Sequence, residues 1–134
     1  MRVAGIGLRA GTSLDSLRQI LTRVEALAGP ADALASLPEK LHLPALQALA
    51  AERVLPLHGV GVAGVETPTR SDRIQALHGT GSVAEAAALL LAHRLGRGRA
   101  HLIVPRLTAE DGMATCAMAQ TSDFPSLQPE DPPR

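Results

Sequence analysis

Apolar positions recur along this chain at spacings that mark its elements. Val3 to Leu8 is a short apolar run that reads as a strand. Leu14, Leu17, Ile20, Leu21, Val24 and Leu27 then follow at three- and four-residue steps, the period of an amphipathic helix. Thr12 or Ser13 can cap that helix, and Gly29-Pro30 ends it. A second strand is predicted over Ala33 to Leu37, a helix from Pro44 to Ala51 with Leu46 and Leu49, and a third strand over Val54 to Leu57. From His58 to Thr69 three glycines and Pro68 predict an irregular connection, with an edge strand near Val60 to Val65.

Ser71 to Leu77 supplies one or two helical turns. Ser82-Val83-Ala84-Glu85 is then a capping box, in which the first and fourth residues satisfy each other's backbone donors, and it starts a helix running to Leu95 and ending at Gly96. Ala100 to Val104 is continuously apolar, as buried parallel strands are. Glu110-Asp111-Gly112 turns the chain into a final strand over Ala114 to Ala119. Strands alternating with helices predict an α/β fold: a single-domain layered sandwich, mostly parallel, with helices on both faces and an antiparallel strand accommodated at an edge. The domain is expected over residues 1–120, followed by a proline-rich, disordered tail at 121–134.

Composition narrows the function classes. Lys+Arg and Asp+Glu balance at 13 each, so no overall field attracts nucleic acid or an anionic membrane. Phe124 is the one aromatic residue, which removes base stacking and makes the core aliphatic. No apolar run approaches the ~18 residues of a membrane span, and Gly5 interrupts the N-terminus before a signal-peptide core could form. A cytoplasmic protein without nucleic-acid or membrane partners is expected. Cys116 has no partner for a disulfide, and its apolar surroundings predict a buried, inert thiol. The five histidines form neither HxH nor HxxxH, so no metal site is expected.

Two glycine-bearing turns carry the candidate chemistry. The first is Gly5-Ile6-Gly7-Leu8-Arg9-Ala10-Gly11-Thr12, and the second is Gly79-Thr80-Gly81-Ser82. Glycine lets a ligand approach the backbone, and each turn leads into a helix whose N-terminal N–H groups favour an anion. Arg9 adds a planar fork for carboxylate or phosphate, and Arg106 lies at the end of the later strand, where α/β folds present their ligand loops. The candidate ligand-binding set is therefore Gly5, Gly7, Arg9, Gly11, Thr12, Gly79, Thr80, Gly81, Ser82 and Arg106. Arg70, Asp72 and Arg73 read as ordinary surface charges. Glu85 and Thr80 are the candidates for a reacting centre, although the capping box already gives Glu85 a structural role.

The first turn also satisfies a loose GxGxx(G/A) dinucleotide pattern. The acidic residue expected about 20 positions later would be Glu25, inside the first helix, and the chain has no room for a second mononucleotide half. No nicotinamide or other cofactor is expected.

Taken in order, Gly5-Ile6-Gly7-x-Arg9-x-Gly11-Thr12, the Gly79 turn with Ser82-Val83-Ala84-Glu85-Ala86-Ala87-Ala88-Leu89, and Leu102-Ile103-Val104-Pro105-Arg106 resemble the CobE/CbiG C-terminal domain family of cobalamin biosynthesis over residues 2 to 119. Leu8 stands where that family commonly has Cys, Ala10 where it has a second basic residue, and Arg106 where it often has Lys. The resemblance implies a precorrin-type tetrapyrrole as partner, carrying acetate and propionate arms around an apolar macrocycle. Three roles follow from it: binding such an intermediate, as in the CobE proteins of the aerobic route; opening a cobalt-precorrin lactone with release of acetaldehyde, as in the longer CbiG proteins; or docking on pathway methyltransferases.

Overall fold

The computed structural model describes residues 1–96 and 99–121. Five strands, β1 (Arg2–Leu8), β2 (Ala33–Ser36), β3 (Leu57–Gly59), β4 (Ala100–Thr108) and β5 (Ala114–Thr121), form one sheet in the order β3-β2-β1-β5-β4. β1, β2 and β3 are parallel, while β5 runs antiparallel to both β1 and β4. The fold is α/β, with an open mixed sheet between helices. The reversed strand lies inside the sheet rather than at its edge, because a short turn from β4 brings β5 back beside β1.

Side chains alternate across the sheet, and each face meets its own helices. Ala4 and Ile6 of β1 face α1 (Leu14–Ala28) and α2 (Pro44–Arg53), joining Leu17, Ile20, Leu21, Val24, Leu46 and Leu49 in one aliphatic core. Val3 faces α4 (Val83–Leu95) on the other side, with Ala33, Ala35, Ala119, Ala87 and Leu91. Ser13 caps α1 by accepting from the Ser16 N–H, and Gly29 closes the helix at φ 104°. α4 carries a run of alanines, so its backbone can lie close to the sheet. Gly5 makes that approach possible: a Cβ there would stand 2.0 Å from the Ala84 carbonyl oxygen and 2.6 Å from the Ala88 nitrogen.

Several predicted elements differ in extent or kind. α2 runs on to Arg53, and Val54 caps it in the left-handed conformation, so β3 starts only at Leu57. Val60 and Val62 are buried against the α4 side, but the stretch to Val65 forms no strand. Ala100–Val104 belongs to an edge strand, antiparallel to its neighbour, rather than to a buried parallel one. Its apolar run has a different cause: Ile103 packs into the α1 core and Leu102 into the α4 core, so both faces are covered, while no strand among the described residues pairs with its outer edge. Pro105 suits that edge, because it has no N–H to offer a ladder. β5 continues to Thr121; the expected tail from residue 122 onward, with Phe124, lies outside the described residues. Among the described residues no helix is long and apolar enough to cross a membrane.

Candidate functional site

A cleft of about 650 Å³ opens at the carboxyl ends of β1 and β2, the position where open α/β sheets bind ligands. One bank is the end of β1 with the Arg9-Ala10 turn; another is Arg106 and Thr108 of β4 with Gly112 and Met113 of the following turn and Ala114 and Thr115 at the start of β5. The third bank is α3 (Asp72–His78), which contributes Arg73, Ile74, Leu77 and His78. Ser36, Leu37 and Lys40 close the side next to β2, and Ser82 and Val83 bring in the N-terminal end of α4.

The charge of this cleft is one-sided. Arg9, Lys40, Arg73 and Arg106 line it, and among the described residues no Asp or Glu does, in a chain whose charges balance overall. Leu8, Leu37, Ile74, Leu77, Val83 and Met113 supply apolar surface between the cations. Leu77 is 61% exposed, as expected for a residue at the mouth of an open site.

Of the candidates named from sequence, Gly7, Arg9, Ser82 and Arg106 line the cleft. Arg9 is held by its backbone: its N–H donates to the Met113 carbonyl at 3.0 Å, and its own carbonyl accepts from the Thr12 N–H at 3.1 Å. Thr12 serves that turn rather than the cleft, with its hydroxyl 2.7 Å from the Arg9 carbonyl oxygen and 3.0 Å from that of Met113. Gly5 lies under α4, and exposed Gly11 is outside the lining. Gly79 caps α3 at φ 71°, in the conformation that favours glycine. Gly81 lets residues 67–70 cross the start of α4, where a Cβ would meet the Thr67 hydroxyl at 2.8 Å and the Thr69 carbonyl oxygen at 2.9 Å.

Thr80 and Glu85 both lie away from the cleft. Thr80 is fully buried and donates to the Val65 carbonyl at 2.5 Å. Glu85 is also fully buried, and only half of the predicted capping box forms: the Ser82 hydroxyl accepts from the Glu85 N–H at 3.3 Å, but the Glu85 carboxylate does not return to Ser82. It accepts instead from the Thr69 N–H at 3.0 Å, the Thr69 hydroxyl at 2.9 Å and the Arg106 N–H at 2.9 Å. A local motif gave way to partners 16 and 21 residues away.

Lys40, Arg73 and His78 were not legible as site residues. Lys40 rides on a 3-10 turn after β2 (Pro38–Lys40), and Arg73 and His78 sit on a helix that buries none of its residues, so neither segment carries a motif. Only their convergence with Arg9 marks them. Cys116 is buried on β5, where desolvation, then the nearby Glu25 charge, pushes its thiol up to about 12. Among the described residues no group of three His, Cys, Asp or Glu side chains could hold a metal ion.

The fold and its cleft thus define an α/β domain with a cationic, partly apolar pocket at its strand ends. Residues 2–119 match the family described as Cobalamin synthesis G C-terminus, and the chain belongs to that family. It is similar to the crystal structure of CobE, a protein from the cobalamin (vitamin B12) biosynthetic pathway, at 36% identity over 91% of each chain with a TM-score of 0.82. It is also similar to the cobalamin biosynthesis protein chiG from Agrobacterium tumefaciens str. C58, at 33% identity over 92% of this chain and 100% of that one, with a TM-score of 0.67. Comparison with curated proteins gives no match.

Proposed function

We propose that this protein acts in cobalamin biosynthesis by binding a precorrin-type tetrapyrrole in the cleft, holding or handing on the intermediate without changing it. The observation that carries this reading is the lining itself: among the described residues, four cations, no carboxylate, and aliphatic surface between them. A macrocycle fringed with acetate and propionate arms needs this combination. Its ring removes apolar surface from water against Leu8, Ile74, Leu77 and Met113, while its arms reach guanidinium and ammonium groups at the rim. The N-terminal end of α4 adds partial positive charge on the same side.

The residues named for the hydrolase role do not serve it: Glu85 and Thr80 are buried and engaged elsewhere. Among the described residues the cleft presents no carboxylate, which leaves His78 as its candidate for a general base.

Purification from cells that make precorrins tests the proposal. The expected result is a coloured protein whose bound tetrapyrrole has the mass of the free intermediate. A colourless protein that also fails to bind added precorrin refutes it; a ligand released with altered mass favours hydrolysis, and co-purification of a methyltransferase without pigment favours docking.

A further inference from the structure

Burying a carboxylate is costly unless its oxygens find donors. Glu85 is fully buried, and each of its oxygens serves a different part of the chain. Oε1 accepts from the Thr69 N–H and hydroxyl, and Oε2 accepts from the Arg106 N–H. A glutamate needed only for capping could have bonded Ser82 at the helix end.

The two partners stand at the roots of two banks of the cleft. Two residues after Thr69, Ser71 caps α3 by accepting from the Ile74 N–H, and α3 carries Arg73 and His78 to the site. No residue of α3 is fully buried and its Ile74 packs only partly against the α4-side core, so ties at its ends help to place it. Arg106 lies in a register shift of β4 between Val104 and Leu107, where Pro105 and Arg106 stand opposite Ala117 alone on β5. Such a bulge turns an N–H out of the ladder, and Glu85 receives it.

We propose that Glu85 is a positioning residue of the cleft, one carboxylate that ties the α3 bank to the β4 bank and so sets the spacing of Arg73 and Arg106. The inference rests on the reading of the cleft as an anion site, but the tie itself can be tested without any ligand. Glu85→Gln keeps the size of the side chain and replaces one acceptor oxygen with an NH2 group. That group cannot accept from a backbone N–H, so one bank must lose its tie.

Hydrogen exchange on the full chain reads this directly. E85Q is expected to speed exchange at the Thr69 or Arg106 amide by about tenfold or more while the β1 and β5 amides keep their protection. Binding of uroporphyrin, a porphyrin with eight carboxylates, supplies the second readout. E85Q is expected to bind it about tenfold more weakly, and removing the arginine of the released bank, R73A or R106A, costs less in the E85Q background than in wild type. Thr69→Val removes one donor and leaves Glu85 in place, so it should reduce the contribution of Arg73 alone even if E85Q does not fold. The proposal is overturned if both amides stay protected in E85Q, or if the losses from E85Q and from both arginine variants simply add. Failure of the wild-type chain to bind uroporphyrin would instead count against the cleft reading, with exchange still deciding the role of Glu85.

Discussion

Gly5→Ala separates two reasons for a glycine in the first turn. If Gly5 serves a ligand, its replacement should leave stability alone and reduce binding; if it serves the helix, stability should fall. The added Cβ would lie 2.0 Å from the Ala84 carbonyl oxygen, and ordinary contact begins near 3.4 Å, so α4 would have to retreat by about 1.4 Å. The obstacle is helix backbone, which cannot swing aside as a side chain can. Behind it lie Ala87, Ala88 and Leu91, all fully buried against the sheet. Overpacking of this kind costs about 3 kcal/mol, and the entropy gained by replacing glycine in a strand returns up to about 1 kcal/mol. The net loss of about 2 kcal/mol corresponds to a fall in Tm of roughly 8 °C at about 4 °C per kcal/mol. Thermal melts and urea unfolding of wild type and G5A measure it. Gly7→Ala is the control, because its Cβ meets the rotatable Thr115 hydroxyl at 2.7 Å and should cost less. A G5A protein melting within about 2 °C of wild type would refute the packing argument.

Two further predictions concern stability. Val54 is 87% exposed at φ 53°, a conformation that a β-branched residue adopts at a cost, so Val54→Gly should raise stability by about 1 kcal/mol in urea unfolding; an unchanged midpoint would contradict this. The Asp111 carboxyl is held below its ordinary value of 3.8, first by the Ser16 hydroxyl and then by the Met113 N–H. Its stabilising effect is therefore complete above the unfolded value and is lost as pH falls below 3.8 through the folded value. Asp111→Asn should flatten the acid limb of the stability profile in that range while lowering stability at neutral pH, and parallel profiles would contradict the assignment.

Much of the fold could be read locally. The spacing of Leu17, Ile20, Leu21 and Val24 placed α1, Ser13 and Gly29 bounded it, and Ser82 marked the start of α4. Long-range geometry decided the rest. Gly5 and Gly7 share one motif, yet Gly5 packs beneath α4 while Gly7 reaches the cleft. The apolar run at Leu102–Val104 describes coverage of two faces and says nothing of an edge position. Arg9 and Arg106 were visible as cations at strand ends, whereas Lys40 and Arg73 became site residues only through tertiary convergence. Glu85 shows the same limit: sequence could offer it Ser82, but not Thr69 and Arg106.

The central claim is that the cleft recognises carboxylates on an apolar ring. Its most direct measurement is the affinity of the wild-type chain for uroporphyrin and for its octamethyl ester, followed across salt concentrations, with an R9A/R106A variant alongside. The account predicts binding of the octaacid that weakens with added salt, at least about tenfold weaker binding of the ester, and a similar loss in the double variant, about 1.4 kcal/mol or more. Equal affinity for acid and ester, unaffected by salt or by removal of Arg9 and Arg106, would contradict it.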